Sequence, residues 1–392
     1  MMNMIPLSIP NFCGNEKKYV DDAIEQGWVS TGGTYINKLE KELARYLHVN
    51  NVAACQSGTS AIHLSLVEAG VEPGDAVIVP TLTFIAAVNP VKYQFASPIF
   101  MDCDDSFCID PVKLADFCET ECVFDGEKLV YHGKTVKALI VVHIFGNMAD
   151  MVSILETAHR YNIVVIEDAT EALGTKYTEG PYEGMYAGTI GDFGAYSFNA
   201  NKIITTGGGG AVTANNCESV EHIRYLSTQA KDDPGFYIHN EVGYNYRMTN
   251  LQAALGLAQL ENLPDFICCK QKNYDYYLKL FKYFNFASLV QFKSCISSNK
   301  WFYSLEIDMS RMGVTLKEII GELQKRGVQT RAIWGLINEQ KPYLNEKTYK
   351  LDKASYYAGR VINIPCSTQL SYKEIEYVAK QIKDVLEEVA IE

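Results

Sequence analysis

The sequence predicts an α/β protein. A large domain over residues 1–250, with an N-terminal arm and a mixed, mostly parallel central sheet, precedes a smaller α+β domain over 251–392. Three observations predict this. Short apolar runs alternate with helix-length segments from about residue 52 to 166, the pattern of parallel βα units. After residue 250 that rhythm gives way to a long helical stretch, an isolated strand-like run and further helices. A chain of 392 residues also exceeds one typical domain.

Taken in order, 16–26 reads as a helix, and 34–48 as a second with Leu39, Leu43 and Leu47 on one face. Val52 to Cys55 is a short strand. It runs through Gln56, Ser57, Gly58 and Thr59 into a helix from Ala61 to Ala69, with hydroxyl residues at the entry and Gly70 at the exit as caps. Strands follow at Ala76 to Pro80 and Pro98 to Met101, with Thr81 to Phe84 and a helix through Val91 between them. Ala138 to Val142 and Ile163 to Ile166 flank a helix over 149–161. Residues 119–137 interrupt the alternation and read as a hairpin that turns near Asp125 and Gly126. Beyond 250 the reading is one helix over 249–283, a strand from Trp301 to Asp308, a helix over 316–326, a strand from Thr330 to Trp334, and an amphipathic closing helix over 371–389.

Composition narrows the function classes. The formal net charge of −12 disfavours nonspecific nucleic-acid binding and a basic membrane-surface role. Apolar runs are strand-length, so no transmembrane helix is expected, and the start of the chain lacks the basic region of a signal peptide. The eleven cysteines do not pair with histidines at zinc-site spacing, so no metal is expected. Their odd count and the chain's size favour reduced thiols in a cytoplasm.

Two residues carry the chemistry. Asp168 ends the apolar run from Ile163, and Lys202 follows it in the Ser-, Asn- and Gly-rich stretch from Tyr196 to Gly210. Alone, a loop lysine is a solvated surface residue, and a strand-terminal aspartate is a cap or a metal ligand as often as an anchor. In this order and setting they are what pyridoxal phosphate needs. An amine condenses with the aldehyde, and a carboxylate keeps the pyridine nitrogen protonated. Ser57, Gly58 and Thr59 open a helix where backbone N–H groups could hold a phosphate, although the tripeptide alone is an ordinary cap. Ser197 could donate to the same phosphate. Phe84 could stack on the ring, or simply fill the core. Glu171, three residues after Asp168, could reach the site across a helical turn. His63 and His143 read as structural hydrogen-bonding residues. Gly207 to Gly210 lacks the order of a phosphate loop and reads as a tight turn behind the lysine. No Gly-x-Gly-x-x-Gly follows the first strand, which counts against a nicotinamide enzyme.

With these residues assembled, the sequence resembles the DegT-type sugar aminotransferases, from about Ile5 to Leu386. The resemblance rests on Trp28 to Gly32, Gln56 to Ala61, Pro80 to Phe84, Val142 to Gly146, Glu167 to Gly174, Asn201 to Gly207, and Gly243 to Arg247. It implies the fold-type I pyridoxal-phosphate architecture. Leu226 to Pro234, Gln329 to Trp334 and the 119–137 insertion resemble the members that aminate C4 of UDP-linked 4-keto-6-deoxy-N-acetylhexosamines, in routes of the legionaminic acid and bacillosamine type for surface glycans. A C3 aminotransferase acting on a dTDP-3-keto-6-deoxyhexose is the alternative.

Carried over by resemblance, Lys202 is the cofactor-bearing lysine and Asp168 the partner of the ring nitrogen. Gly58, Thr59 and Ser197 bind the phosphate, and Phe84 stacks on the ring. Asn245 reaches the phosphate of the neighbouring subunit, which implies a homodimer. Glu171 stands where many relatives carry Gln or His beside the cofactor O3′. Arg331 and Trp334 are expected to contact the sugar nucleotide. The resemblance further implies L-glutamate as donor and pyridoxamine phosphate as the intermediate cofactor form.

Overall fold

The computed structural model describes residues 4–233 and 235–391. Pro234, at the end of the Leu226 segment, and residues 1–3 of the N-terminal arm lie outside it. The main sheet runs in the order Ala53–Cys55, Gly210–Ala214, Phe193–Ser197, Val164–Asp168, Lys134–Val142, Ala76–Pro80, Ser97–Met101 and Lys347–Tyr349. Every pairing from Phe193–Ser197 to Lys347–Tyr349 is parallel, and only the two pairings of Gly210–Ala214 along this path are antiparallel. The mixed, mostly parallel sheet is as the sequence predicts. Its strands are buried on both faces, so they read as continuous apolar runs rather than as alternation.

The sheet's directions decide where chemistry can sit. The carboxyl ends of Ala53–Cys55, Ala76–Pro80, Lys134–Val142, Val164–Asp168 and Phe193–Ser197 emerge at one edge, where Gly210–Ala214 begins. Ligands of open α/β sheets bind at that edge. Ser57, Thr81, His143, Asp168 and Ser197 are therefore delivered to one rim by five strands.

A second sheet, in the order Ala287–Leu289, Tyr303–Ile307, Val361–Ile364 and Arg331–Ala332, is antiparallel throughout. Lys347–Tyr349 leaves this part of the chain and joins the main sheet beside Ser97–Met101. The 119–137 insertion is a hairpin, Val123–Phe124 with Leu129–Tyr131, continued by a second turn into Lys134–Val142. Asp125 Oδ1 accepts two backbone N–H groups across the first turn, and Gly126 supplies its positive φ of 99°.

Three sequence expectations are corrected. The helix expected over 249–283 is two helices, Asn250–Glu261 and Leu263–Phe281, broken at Asn262. Pro264 has no N–H to continue a helix but suits the first turn of a new one. The helix expected through Val91 is a 3₁₀ turn, Ile85–Ala87, followed by Asn89–Tyr93, with Pro90 at the start of the second piece. Residues 169–174 form turns, so Glu171 reaches the site from a loop and not across a helical turn.

Candidate active site

The carboxyl edge of the main sheet opens into a cavity of about 580 Å³, closed on the far side by Trp301, Phe302, Arg331 and Trp334 from the second sheet's elements. Asp168 ends its strand inside this cavity and is 3% exposed. Thr170 N–H donates to its Oδ1 at 3.0 Å. Burial raises the Asp168 pKa, opposed by the Thr170 hydrogen bonds and by the positive charge of Lys202.

Lys202 arrives by a different route. The loop after Phe193–Ser197 folds back, and Lys202 points its amine into the cavity, 3.7 Å from Glu171 Oε1 and 4.1 Å from the centre of the Trp301 ring. Burial pushes its pKa down, against the pull of Glu171 and Asp168. Burial also pushes Glu171 up to about 7, which the Lys202 charge opposes. Burial thus favours the neutral amine at Nζ more than it would at a solvated surface lysine.

The phosphate end is built by the helix Gly58–Glu68. Ser57 caps it by accepting the Ser60 N–H at 3.0 Å, which leaves the first N–H groups, of Gly58 and Thr59, at the cavity wall. A Cβ on Gly58 would lie 2.8 Å from Thr170 Cγ2 and 2.9 Å from Ser197 Cβ. Only glycine lets these two hydroxyl residues close on the helix end. Phe84 stands at the mouth and is 54% exposed, a large ring left half open to solvent.

Behind Asp168 lies a fully buried pair. Ala149 N–H donates to His143 Nδ1 at 3.2 Å, so the ring proton resides on Nε2 and is donated to Glu167 Oε2 at 2.7 Å. Glu167 also accepts the N–H groups of Gly188, Ile190 and Gly191. These contacts give His143 the structural role read from the sequence. They also fix the strand end that carries Asp168. His63 is likewise structural, held between Gln94 and the Tyr246 hydroxyl.

Asn245 is not brought to the cavity of its own chain. It lies with Thr31, Ser227, Thr228, Gln229, Lys231 and Arg247 in a separate open depression. Arg247 is buried and pairs with Glu40, while Glu40 Oε1 accepts the Ala54 N–H at 2.7 Å and Arg247 donates to Ala54 O at 3.1 Å. This buried pair clamps the loop to the first strand of the sheet. Removing one member of such a pair typically costs about 3–5 kcal/mol.

Sequence reasoning missed Thr170, Asn201, Asn299 and Trp301. Asn299 Nδ2 donates to the carbonyls of Glu171 and Leu173, each at 3.0 Å, and its Oδ1 accepts the Trp301 N–H. Trp301 Nε1 donates to Asn201 O at 2.7 Å. Nothing local marks Asn299 and Trp301, which meet Glu171, Leu173 and Asn201 about a hundred or more positions away, whereas Thr170 and Asn201 lie beside Asp168 and Lys202 in the chain.

The donor set fits pyridoxal phosphate. A buried carboxyl faces the space for a ring, a largely buried amine stands beside it, and a helix end flanked by the hydroxyls of Thr170 and Ser197 would hold the phosphate. Among the described residues, the buried Asn201 Oδ1 has no hydrogen-bond partner. Among the described residues no cluster of His, Cys, Asp and Glu could hold a metal ion, and no helix is long and apolar enough to cross a membrane.

Fold and site together define a pyridoxal-phosphate-dependent aminotransferase of fold type I. The chain belongs to the DegT/DnrJ/EryC1/StrS aminotransferase family, whose model matches residues 11–383. It is 37% identical over 386 residues to the GDP-perosamine synthase of Escherichia coli O157:H7, covering 98% of this chain and 99% of that one. It is 28% identical over 370 residues, 92% of each chain, to the UDP-4-amino-4,6-dideoxy-N-acetyl-beta-L-altrosamine transaminase of Campylobacter jejuni. Spr1654 of Streptococcus pneumoniae, solved in its pyridoxamine phosphate form, superposes with a TM-score of 0.87 over 98% of both chains at 26% identity.

Proposed function

We propose that this enzyme transfers the amino group of L-glutamate to C4 of a nucleotide-linked 4-keto-6-deoxyhexose. The observation that carries the reading is the buried triad of Asp168, Glu171 and Lys202 beneath the Gly58 helix end, facing a wall that contains Arg331 and Trp334. Pyridoxal phosphate, when bound, supplies an aldehyde that takes up and gives back the amine, and a ring that spreads the charge left when a C–H bond breaks. The residues do the rest. Asp168 holds a proton at the ring nitrogen, Gly58, Thr59 and Ser197 bind the phosphate, and Phe84 covers the ring. The Lys202 amine removes the proton from the donor α-carbon and, in the second half of the cycle, delivers one to C4 of the sugar.

Arg331 offers a fork of donors suited to a diphosphate, and Trp334, stacked 4.6 Å from Phe145, offers a ring face. The relatives bear on the nucleotide. Perosamine is itself a 4-amino-4,6-dideoxy sugar, so the 37% identical relative supports C4 chemistry and a GDP-linked substrate. The sequence-based expectation of a UDP-linked N-acetylhexosamine, in a route of the legionaminic acid or bacillosamine type, is the second reading. The C. jejuni transaminase, at 28% identity, favours it.

The functional unit in this reading is a homodimer in which Asn245 completes the phosphate site of the neighbouring subunit. The chain divides into a cofactor-binding part, 1–250, and a smaller part, 251–392. The test is a panel of GDP-, UDP- and dTDP-linked 4-keto and 3-keto sugars with glutamate, products assigned by NMR. Amination of a 4-keto sugar supports the reading, and the preferred nucleotide decides between its two forms. Turnover of 3-keto sugars alone sinks it.

A further inference from the structure

Glu171 is held on every side except the one that faces Lys202. Its Oε2 accepts the Phe145 N–H at 2.8 Å, and its carbonyl is fixed by Asn299. Phe145 presents that N–H from left-handed backbone, φ 55°, an uncommon conformation for a bulky residue. Oε1 is left aimed at Nζ, 3.7 Å away. The amine is seated on the other side by the Trp301 ring, and Asn299 holds Trp301 as well as Glu171. One asparagine thus ties both walls of the seat. The two side chains are 12% and 3% exposed for Lys202 and Glu171 respectively. The charged groups that face them are Asp168, Arg331 across the cavity, and the His143–Glu167 pair behind Asp168.

We propose, on the reading that Lys202 bears the cofactor, that Glu171 is the proton partner of that lysine. It accepts the ammonium proton when Lys202 must act as a neutral amine, and returns it when the amine is released. The step balances without a co-reactant. The N–H bond of Nζ breaks, an O–H bond forms at Oε1, and an ammonium–carboxylate pair becomes a neutral amine and a neutral acid. A buried, low-dielectric seat favours that exchange because it opposes both charges at once. The opposite pulls of burial on the two groups, down for Lys202 and up for Glu171, run in the direction a shared proton requires. Hydrogen bonds of this kind are often long in the free enzyme and tighten on loading.

The experiment uses the full-length apoenzyme and pyridoxal phosphate itself. The rate of covalent capture is followed by stopped-flow absorbance across pH, and the attachment site is identified by borohydride reduction and peptide mass spectrometry. Capture needs the neutral amine. Without the Glu171 carboxylate, only Asp168 still opposes the effect of burial on Lys202, so Glu171→Gln should move the midpoint of capture to lower pH by about one unit or more. Glu171→Met, of similar length and uncharged, carries the same expectation should the glutamine variant not fold. Glu171→Asp, which keeps an acid, should stay within about half a unit of the wild type. An unchanged midpoint in the Gln or Met variant, with the label still on Lys202, overturns the proposal and leaves the function intact. A wild-type label on another residue overturns the reading of Lys202 and the proposal with it.

Discussion

The floor of the site and its rim are built by different physics. On the floor, Asp168, Glu171 and Lys202 are withdrawn from water, and the strand and loops that carry them are pinned by partners of the same chain. At the rim, Phe84 is 54% exposed, Arg331 is exposed on a two-residue strand, and Asn245 lies in an open depression away from the lysine. Exposed Phe236, Tyr237 and Val242 lie on the loop that leads to Asn245. A floor that is complete in one chain can be pre-organised for chemistry. A rim left bare in one chain is suited to being finished by substrate and by a second chain.

The sharpest way to break this contrast is at the floor. Lys202→Ala should abolish turnover, while pyridoxal phosphate remains bound through the Gly58 helix end, Ser197 and Asp168. Turnover assays paired with cofactor content measured by absorbance check both halves. Near-normal turnover would remove Lys202 from the chemistry. Asp168→Asn should lower the rate by roughly 10²–10³-fold, about 3–4 kcal/mol, because a neutral amide cannot hold the ring proton. Cofactor retention should fall much less. Single-turnover rates with glutamate alone would expose the error if they matched the wild type.

The third test addresses how the rim is held. Burial lowers the His63 pKa to about 4, so the folded state binds this proton later than the unfolded chain does. Stability from this group is full above pH 6.5, is lost as pH falls towards 4, and levels off below that. The loss should approach about 3 kcal/mol. His63 packs edge-on against Tyr244 and Tyr246, which flank Asn245, so acid should loosen the rim loop. Urea melts of the wild type and His63→Gln between pH 7 and 4 check this. Parallel pH profiles for the two proteins would contradict it. The smallest effect is expected at Arg331. Arg331→Ala should raise the KM for the keto sugar about tenfold, the size of one charge-assisted hydrogen bond (roughly 1.5 kcal/mol). An effect confined to glutamate would reassign the arginine to the donor carboxylate.

The same contrast governs what was legible in the sequence. Asp168 and Lys202 could be found because each sits in a local signal, the end of an apolar run and a Ser/Asn/Gly loop. Five strands of the main sheet, Ala53–Cys55, Ala76–Pro80, Ser97–Met101, Lys134–Val142 and Val164–Asp168, were legible for the same reason, and Phe193–Ser197 was not. The hidden part of the floor was not. Asn299 joins Trp301, its near neighbour in the chain, to the Glu171 carbonyl more than a hundred residues away, and no local pattern encodes such a meeting. The break at Asn262 was missed because the apolar periodicity continues across it, although Pro264 marks the restart. Lys347–Tyr349 joined the main sheet unseen, since a three-residue edge strand carries too little pattern to read.

The claim that the floor is complete in one chain while the rim is shared between two is tested most directly by mixing subunits. Lys202→Ala and Asn245→Ala chains are each assayed alone, then dissociated together and reassembled. If Asn245 serves the neighbouring site, each heterodimer has one site with both lesions and one with neither. An equal mixture should then recover about a quarter of the wild-type activity, since half the dimers are mixed and each has one sound site. Activity no higher than the average of the two separate variants, or a monomer by light scattering at the assay concentration, would contradict the account.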